Sequence, residues 1–132
     1  MTLISAQNER YRRHDRGKMS YHFGQAAEGQ VERFYVHKGA RVLHRRWRGR
    51  VGEIDLVLQD VSGLIFVEVK ASKSMDHALR SLRPALIQRI MQTAEEFLAQ
   101  VPTGSLTNVR FDVACVDGSA QTQVLENAFG HF

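Results

Sequence analysis

The sequence predicts an α/β fold, a central mixed sheet flanked by helices, with its elements in the order helix, three strands, helix, strand. Three observations predict it. Apolar residues recur at helical spacing in two places, from Phe23 to Tyr35 and from Leu86 to Leu98. Between them lie three short strand-like runs, the second and third rich in Val, Leu, Ile and Phe, and after the second helix Val109, Phe111, Val113 and Cys115 alternate along one more strand. A strand, a crossover helix and another strand imply a parallel pair connected with the usual right hand.

Residues 1–20 are polar, lack a hydrophobic period and carry Arg10, Arg12, Arg13, Arg16 and Lys18. They read as a basic, flexible arm, and residues 21–132 as one domain. Phe23, Ala27, Val31, Phe34 and Tyr35 mark an amphipathic helix ending near Lys38, with Gly39 as its C-terminal cap. Glu28 and Glu32 share a flank of that helix one turn apart, and Glu32 reads as solvated. Arg41 to Trp47 is the first strand, followed by a turn bracketed by Gly49 and Gly52. Glu53 to Gln59 and Leu64 to Lys70 form a hairpin around Asp60-Val61-Ser62-Gly63.

After Lys70 comes a polar connection over residues 71–76, then a helical turn through Leu82. Pro84 starts the second main helix, because proline is tolerated in a first turn. Leu86, Ile87, Ile90, Met91, Ala94, Phe97 and Leu98 form its apolar stripe, which ends before Pro102. Pro102 to Thr107 is a loop and Asp117-Gly118-Ser119 a turn, while Thr122 to Phe129 fits either a strand or a helix.

The hairpin carries the chemistry. With residues 60 to 63 as its loop, Asp55 faces Glu68 and Glu53 faces Lys70, and all four share one face of the sheet. Directly opposed residues place their Cβ atoms roughly 4.5–5.5 Å apart, so the two carboxylates repel unless a cation lies between them. Ile54, Leu56, Leu58, Ile65, Val67 and Val69 fall on the other face, which specifies the register. Val57, Leu64 and Phe66 accompany the acids, so the charges are expected in a partly buried pocket.

At 132 residues, with 43% hydrophobic content, the chain suits one compact domain with its own core. It has no apolar run long enough to span a membrane and no apolar segment of signal-peptide type near its start, so a cytoplasmic location without a membrane partner is expected. Cys115 is the one cysteine, which excludes an intramolecular disulfide and a Cys-based zinc site. Lys and Arg outnumber Asp and Glu by 18 to 14, a net charge of +4 whose distribution matters more than its size. Arg41, Arg45, Arg46, Arg48 and Arg50 lead straight into the hairpin. Such clusters attract phosphate backbones through counterion release and bidentate contacts, so these five are the candidate nucleic-acid-binding residues and DNA the first candidate partner.

Mg²⁺, or Mn²⁺ in its place, is usually held by one or two carboxylates plus waters and phosphate oxygens. Asp55 and Glu68 supply two carboxylates, and the carbonyl of Val69 a further oxygen. Lys70, two residues from Glu68, would orient the attacking water or offset charge developing on the phosphate. Glu28 adds a third carboxylate if the first helix packs over this face. The reaction these groups fit is attack of water on a phosphodiester. The competing reading is a ladder of cross-strand ion pairs, ordinary on a solvated sheet face.

Ile54-Asp55 followed after twelve residues by Glu68-Val69-Lys70 resembles the PD-(D/E)xK signature of restriction-endonuclease-like nucleases, whose core has the same αβββαβ order. A more specific resemblance runs from Gly24 to Phe129. Gly24-x-x-Ala27-Glu28, Gly39 with Arg41 and Leu43, Gly52-Glu53-Ile54-Asp55-Leu56, Phe66-Val67-Glu68-Val69-Lys70, Arg110-Phe111-Asp112-Val113 and Glu126-Asn127-Ala128-Phe129 resemble the YraN-like family of bacterial proteins, whose function is uncharacterised. That family is in turn similar to archaeal Holliday-junction resolvases. The similarity implies Glu28, Asp55 and Glu68 as metal-site acids and Lys70 as the catalytic lysine. It also implies a homodimer, since cutting two strands needs two active sites. Ser72 stands where the family commonly has Arg, and Leu86 where it often has Lys, which removes two phosphate contacts that Arg83 or Arg89 would have to replace.

The expected function is a metal-dependent, endonuclease-like protein that hydrolyses DNA phosphodiesters, branched or recombining DNA included. The alternative is a non-catalytic nucleic-acid-binding module on the same fold. A protein-interaction adaptor would leave the arginine cluster and the facing acids without a role. Trp47, Phe129 and Phe132 fit a contact surface or a core equally well.

Overall fold

A computed structural model of the chain describes residues 25–130. The expected basic arm, Phe23, Gly24 and Phe132 lie outside them. Helix α1 covers residues 25–37 and buries Ala27, Val31 and Tyr35, four residues apart along one stripe. Its end is a Schellman cap: the Ala40 N–H donates to the Tyr35 carbonyl at 3.1 Å and the Gly39 N–H to the Val36 carbonyl at 3.0 Å. That geometry needs a left-handed residue at the cap, and Gly39 supplies it with φ 98°.

Five strands, β1 (Arg41–Arg48), β2 (Glu53–Asp60), β3 (Gly63–Ala71), β4 (Val109–Val116) and β5 (Thr122–Leu125), form one sheet in sequence order. Neighbours run antiparallel except β3 and β4, which are parallel and joined through helices α2 (Met75–Arg80) and α3 (Pro84–Leu98) and a 3₁₀ turn at Gly104–Leu106. Ser74 caps α2, its hydroxyl accepting from the His77 N–H at 3.0 Å, and Pro84 opens α3. The expected mixed sheet with its αβββαβ order is therefore present. The segment from Thr122, which fitted either state, begins as edge strand β5.

The sheet is covered on both faces. On one, Ala27, Val31 and Tyr35 of α1 pack against Leu56, Leu58, Ile65, Val67, Ala114 and Val116. On the other, Ile90, Ala94, Phe97 and Leu98 of α3 meet Val57, Leu64, Phe66 and Phe111, with Trp47 and Phe129 packed alongside. Trp47 and Phe129 thus belong to the core: Trp47 meets Phe97 edge to face at 5.2 Å, and Phe129 stacks on Phe111 at 5.6 Å. Cys115 is buried in β4, as its position among strand residues implied.

The β2–β3 hairpin turns on two residues, Val61 and Ser62, rather than four, with the Asp60 carboxylate accepting from the Ser62 N–H at 2.8 Å. Both loops share one centre, so the pairing is unchanged: Leu56 faces Val67, Leu58 faces Ile65 and Asp60 faces Gly63.

Candidate functional site

The ladder between β2 and β3 runs from the turn as far as Leu56 and Val67. Beyond it the Asp55 carboxylate, not its main chain, takes the Val69 N–H at 2.8 Å. The strands change phase here. Ile54 was expected beside Leu56 and Leu58, since residues two apart share a face. Instead Leu56 packs on the α1 side and Ile54 on the α3 side. Strand β1 makes the same shift. Arg45 pairs with Leu56 and Trp47 with Ile54, and between them Arg46 adopts φ 53°, a left-handed conformation costly for an arginine. Arg46 and Asp55 therefore mark one kink across two strands.

The kink opens a cavity of about 330 Å³ whose lining includes Glu53, Asp55, Glu68, Leu86, Arg89 and Ile90. Gly52 also lines it and lets α3 approach: a Cβ there would lie 3.0 Å from the Thr93 hydroxyl and 3.7 Å from the Arg89 Cβ. A larger cleft of about 760 Å³, between the end of α3 and the start of β4, has Glu95 as the only charged group among the described residues of its lining. It offers no comparable chemistry.

Within the smaller cavity the carboxyls of Asp55 and Glu68 lie close enough for each to act on the other. The Lys70 ammonium lies 3.5 Å from Glu68, whose side chain is 13% exposed. Burial, then the charge on Asp55, push the Glu68 carboxyl up to about 8. Burial also raises Asp55, against the pull of its bond from Val69. Glu28 reaches the same place from α1: burial, then Asp55, raise it to about 7, while Arg46 at 3.9 Å opposes the shift. Three acids from three elements thus crowd beside one lysine and one arginine.

That surplus of buried negative charge is what a hard cation relieves. Among the described residues no three ligating side chains converge tightly enough to hold an ion by themselves. Asp55 and Glu68 leave the remaining positions to oxygens of other kinds, which suits Mg²⁺ or Mn²⁺ and not a closed zinc site.

Without metal the acids set the pH dependence of stability. Because the folded-state carboxyl of Glu68 is raised from 4.5 to about 8, the folded protein holds more protons than the unfolded chain between those values. Stability is then greatest below the lower value and is lost as pH rises through the upper one; Asp55 and Glu28 act in the same direction. In EDTA at pH 8, Glu68→Gln should be more stable than wild type by roughly 1–3 kcal/mol, with a flatter pH profile, in urea unfolding. Parallel profiles for the two proteins would show that the pair is not strained.

Several expectations change. Glu53 does not extend the ladder to Lys70: it pairs with Arg48 at 3.4 Å, and Arg46 lies 4.0 Å away, because the strands part before reaching it. Glu32 is not merely solvated, since Arg45 grips it with two bonds of 2.7 Å. The other arginines of the cluster also have protein partners, Arg41 on Gln59 at 2.7 Å and Arg50 on Glu96 at 3.4 Å. Of the five, Arg46 and Arg48 are drawn toward the acids, Arg48 through Glu53 and Arg46 through both Glu28 and Glu53. Ser72, where a family arginine would stand, accepts or donates a 2.7 Å bond with His77 of α2.

Sequence reasoning missed one buried group, Asp112. It is fully buried in β4 and accepts from the Tyr35 hydroxyl at 2.7 Å, the Arg110 guanidinium at 3.0 Å and the Asn127 N–H at 3.0 Å. Its signal was a charge inside an apolar strand.

Comparison with known proteins agrees with the motifs. Residues 27–116 match the model of the uncharacterised protein family UPF0102. A UPF0102 protein of Ruegeria pomeroyi is 47% identical over 88% of this chain and 94% of its own length. Another, from Roseobacter denitrificans, is 51% identical over 85% of this chain and 87% of its own. The chain belongs to the uncharacterised protein family UPF0102, the YraN-like proteins.

Proposed function

We propose that this protein is a metal-dependent nuclease that hydrolyses nucleic-acid phosphodiesters, DNA first among them. One observation carries the reading: two carboxyls, Asp55 and Glu68, buried side by side with Lys70 3.5 Å from one of them, where the sheet opens into a cavity. A ladder of ion pairs would not need that burial, since surface pairs contribute little.

Asp55, Glu68 and the Val69 carbonyl would hold Mg²⁺ or Mn²⁺, with Glu28 beside them. When bound, the ion supplies Lewis-acid polarisation of the phosphate and acidifies the attacking water. Asp55 stays oriented by the Val69 N–H, so its position is fixed before a ligand arrives. The Lys70 ammonium orients the water and offsets charge developing on the phosphoryl oxygens. A new P–O bond forms to water as the P–O bond to the leaving sugar oxygen breaks, and the proton lost by water is balanced by one gained by the leaving oxygen. Cleavage of both strands of a branched substrate would require two copies of the chain. No helix among the described residues is long and apolar enough to cross a membrane.

The test is cleavage of a labelled panel, with single strands, duplex, flap, four-way junction and RNA, in Mg²⁺ and Mn²⁺. Wild type should cut at least one member, and Lys70→Ala should lose on the order of 10²–10³-fold in rate, the scale on which charge-stabilising groups act. If neither protein cuts, although wild type is folded and binds Mn²⁺, hydrolysis is ruled out as the activity of the isolated chain and a binding module takes its place.

A further inference from the structure

We infer that Arg89 of α3, and not the arginine cluster of β1, is the side chain that takes the backbone phosphate at this site; the inference rests on the proposed nucleic-acid function. The cluster is committed to the protein itself: Arg41, Arg45, Arg48 and Arg50 bond Gln59, Glu32, Glu53 and Glu96. An arginine already paired with a carboxylate must give up that pair before it can hold phosphate. Arg89 has no such competition. Among the described residues it makes no side-chain hydrogen bond or ion pair, although it lines the same cavity as Glu53, Asp55 and Glu68.

An exposed arginine that lines an acid pocket without closing on any of its acids is left for an anion. The adjacent carboxylates would repel that anion unless a divalent cation joined it to them. A phosphodiester meets both conditions, since one oxygen can face the ion while another takes the guanidinium fork. At about 330 Å³ the cavity lies at the small end of ligand sites, which run ~300–1,000 Å³. It admits one phosphate and its sugar, with Leu86 and Val51 as the apolar wall, rather than a whole duplex groove. The helix packs closely at Gly52, where a side chain would press on the Thr93 hydroxyl and sit in contact with Arg89.

The test uses the full chain with a fluorescein-labelled flapped DNA duplex in Ca²⁺. Arg89→Ala should weaken binding on the order of tenfold, the equivalent of one charge-assisted contact. The slope of log affinity against log salt should fall by about 0.9. Arg89→Lys should recover part of the affinity, as a charge without the fork. Removing a comparable exposed charge elsewhere, with Arg80→Ala, should cost no more than about twofold. Thermal stability and Mn²⁺ affinity by calorimetry should not change in Arg89→Ala, which separates phosphate contact from a structural role. Wild-type affinity in Arg89→Ala, an equal loss in Arg80→Ala, or no DNA binding by wild type would each overturn the inference. If Arg89→Ala loses affinity while no protein cuts DNA, the inference stands and hydrolysis fails. If Arg89→Ala cuts with unchanged KM, hydrolysis stands and the inference fails.

Discussion

Asp55→Asn should remove cleavage by at least 10²–10³-fold and abolish measurable Mn²⁺ binding, while leaving the fold intact. The amide has the shape of the carboxylate, and its oxygen can still accept the Val69 N–H that Asp55 accepts at 2.8 Å. What it lacks is the charge. Burial raises the Asp55 carboxyl, so the metal-free protein does not depend on that charge for stability, and the variant should unfold at no lower urea concentration than wild type at pH 8. DNA affinity in EDTA should rise rather than fall, because one negative charge facing the phosphate is gone. Loss of cleavage with retained or improved metal-free binding separates a metal ligand from a structural residue. Full-rate Mg²⁺-dependent cleavage by Asp55→Asn would falsify the assignment.

The sheet order and the hairpin register were legible because period-two alternation reports burial directly, and Leu56, Leu58, Ile65 and Val67 follow it without exception. The same rule misplaced Ile54. A phase shift leaves no mark in an apolar pattern when both faces of the sheet are covered, since Ile54 is buried whichever way it points. Glu28, Asp55, Glu68 and Lys70 were legible as a group because a helix and two strands bring them to one end of the sheet. The arginines were legible only as charge: their partners Glu32 and Glu96 lie 13 and 46 positions away, beyond the reach of any local rule.

Asp112→Ala should cost roughly 3–5 kcal/mol, a large share of the ~5–15 kcal/mol typical of a domain, when measured by urea unfolding. The carboxylate is wholly buried, and its removal takes the acceptor from three donors at once, the Tyr35 hydroxyl, the Asn127 N–H and the Arg110 guanidinium, of which, among the described residues, only the last keeps another partner, Glu126 at 3.6 Å. Tyr35→Phe removes only one donor and leaves the carboxylate with two, so its cost should be about 1 kcal/mol. The effect also reaches the site. Tyr35 lies two helical turns beyond Glu28 on α1, so the Tyr35–Asp112 bond fixes the helix that delivers Glu28 toward Asp55. The other ties on that helix are more exposed: Gln30 donates to the Ala120 carbonyl and to the Thr122 hydroxyl of β5, and Arg45 of β1 holds Glu32. In Tyr35→Phe, which should remain folded, the Glu28 carboxyl should therefore move from about 7 back toward its ordinary range as α1 loosens. Carbon-detected NMR titration of the glutamate carboxyls would read this directly. An unmoved Glu28 would mean that the apolar stripe of Ala27 and Val31 positions the helix without help from Asp112.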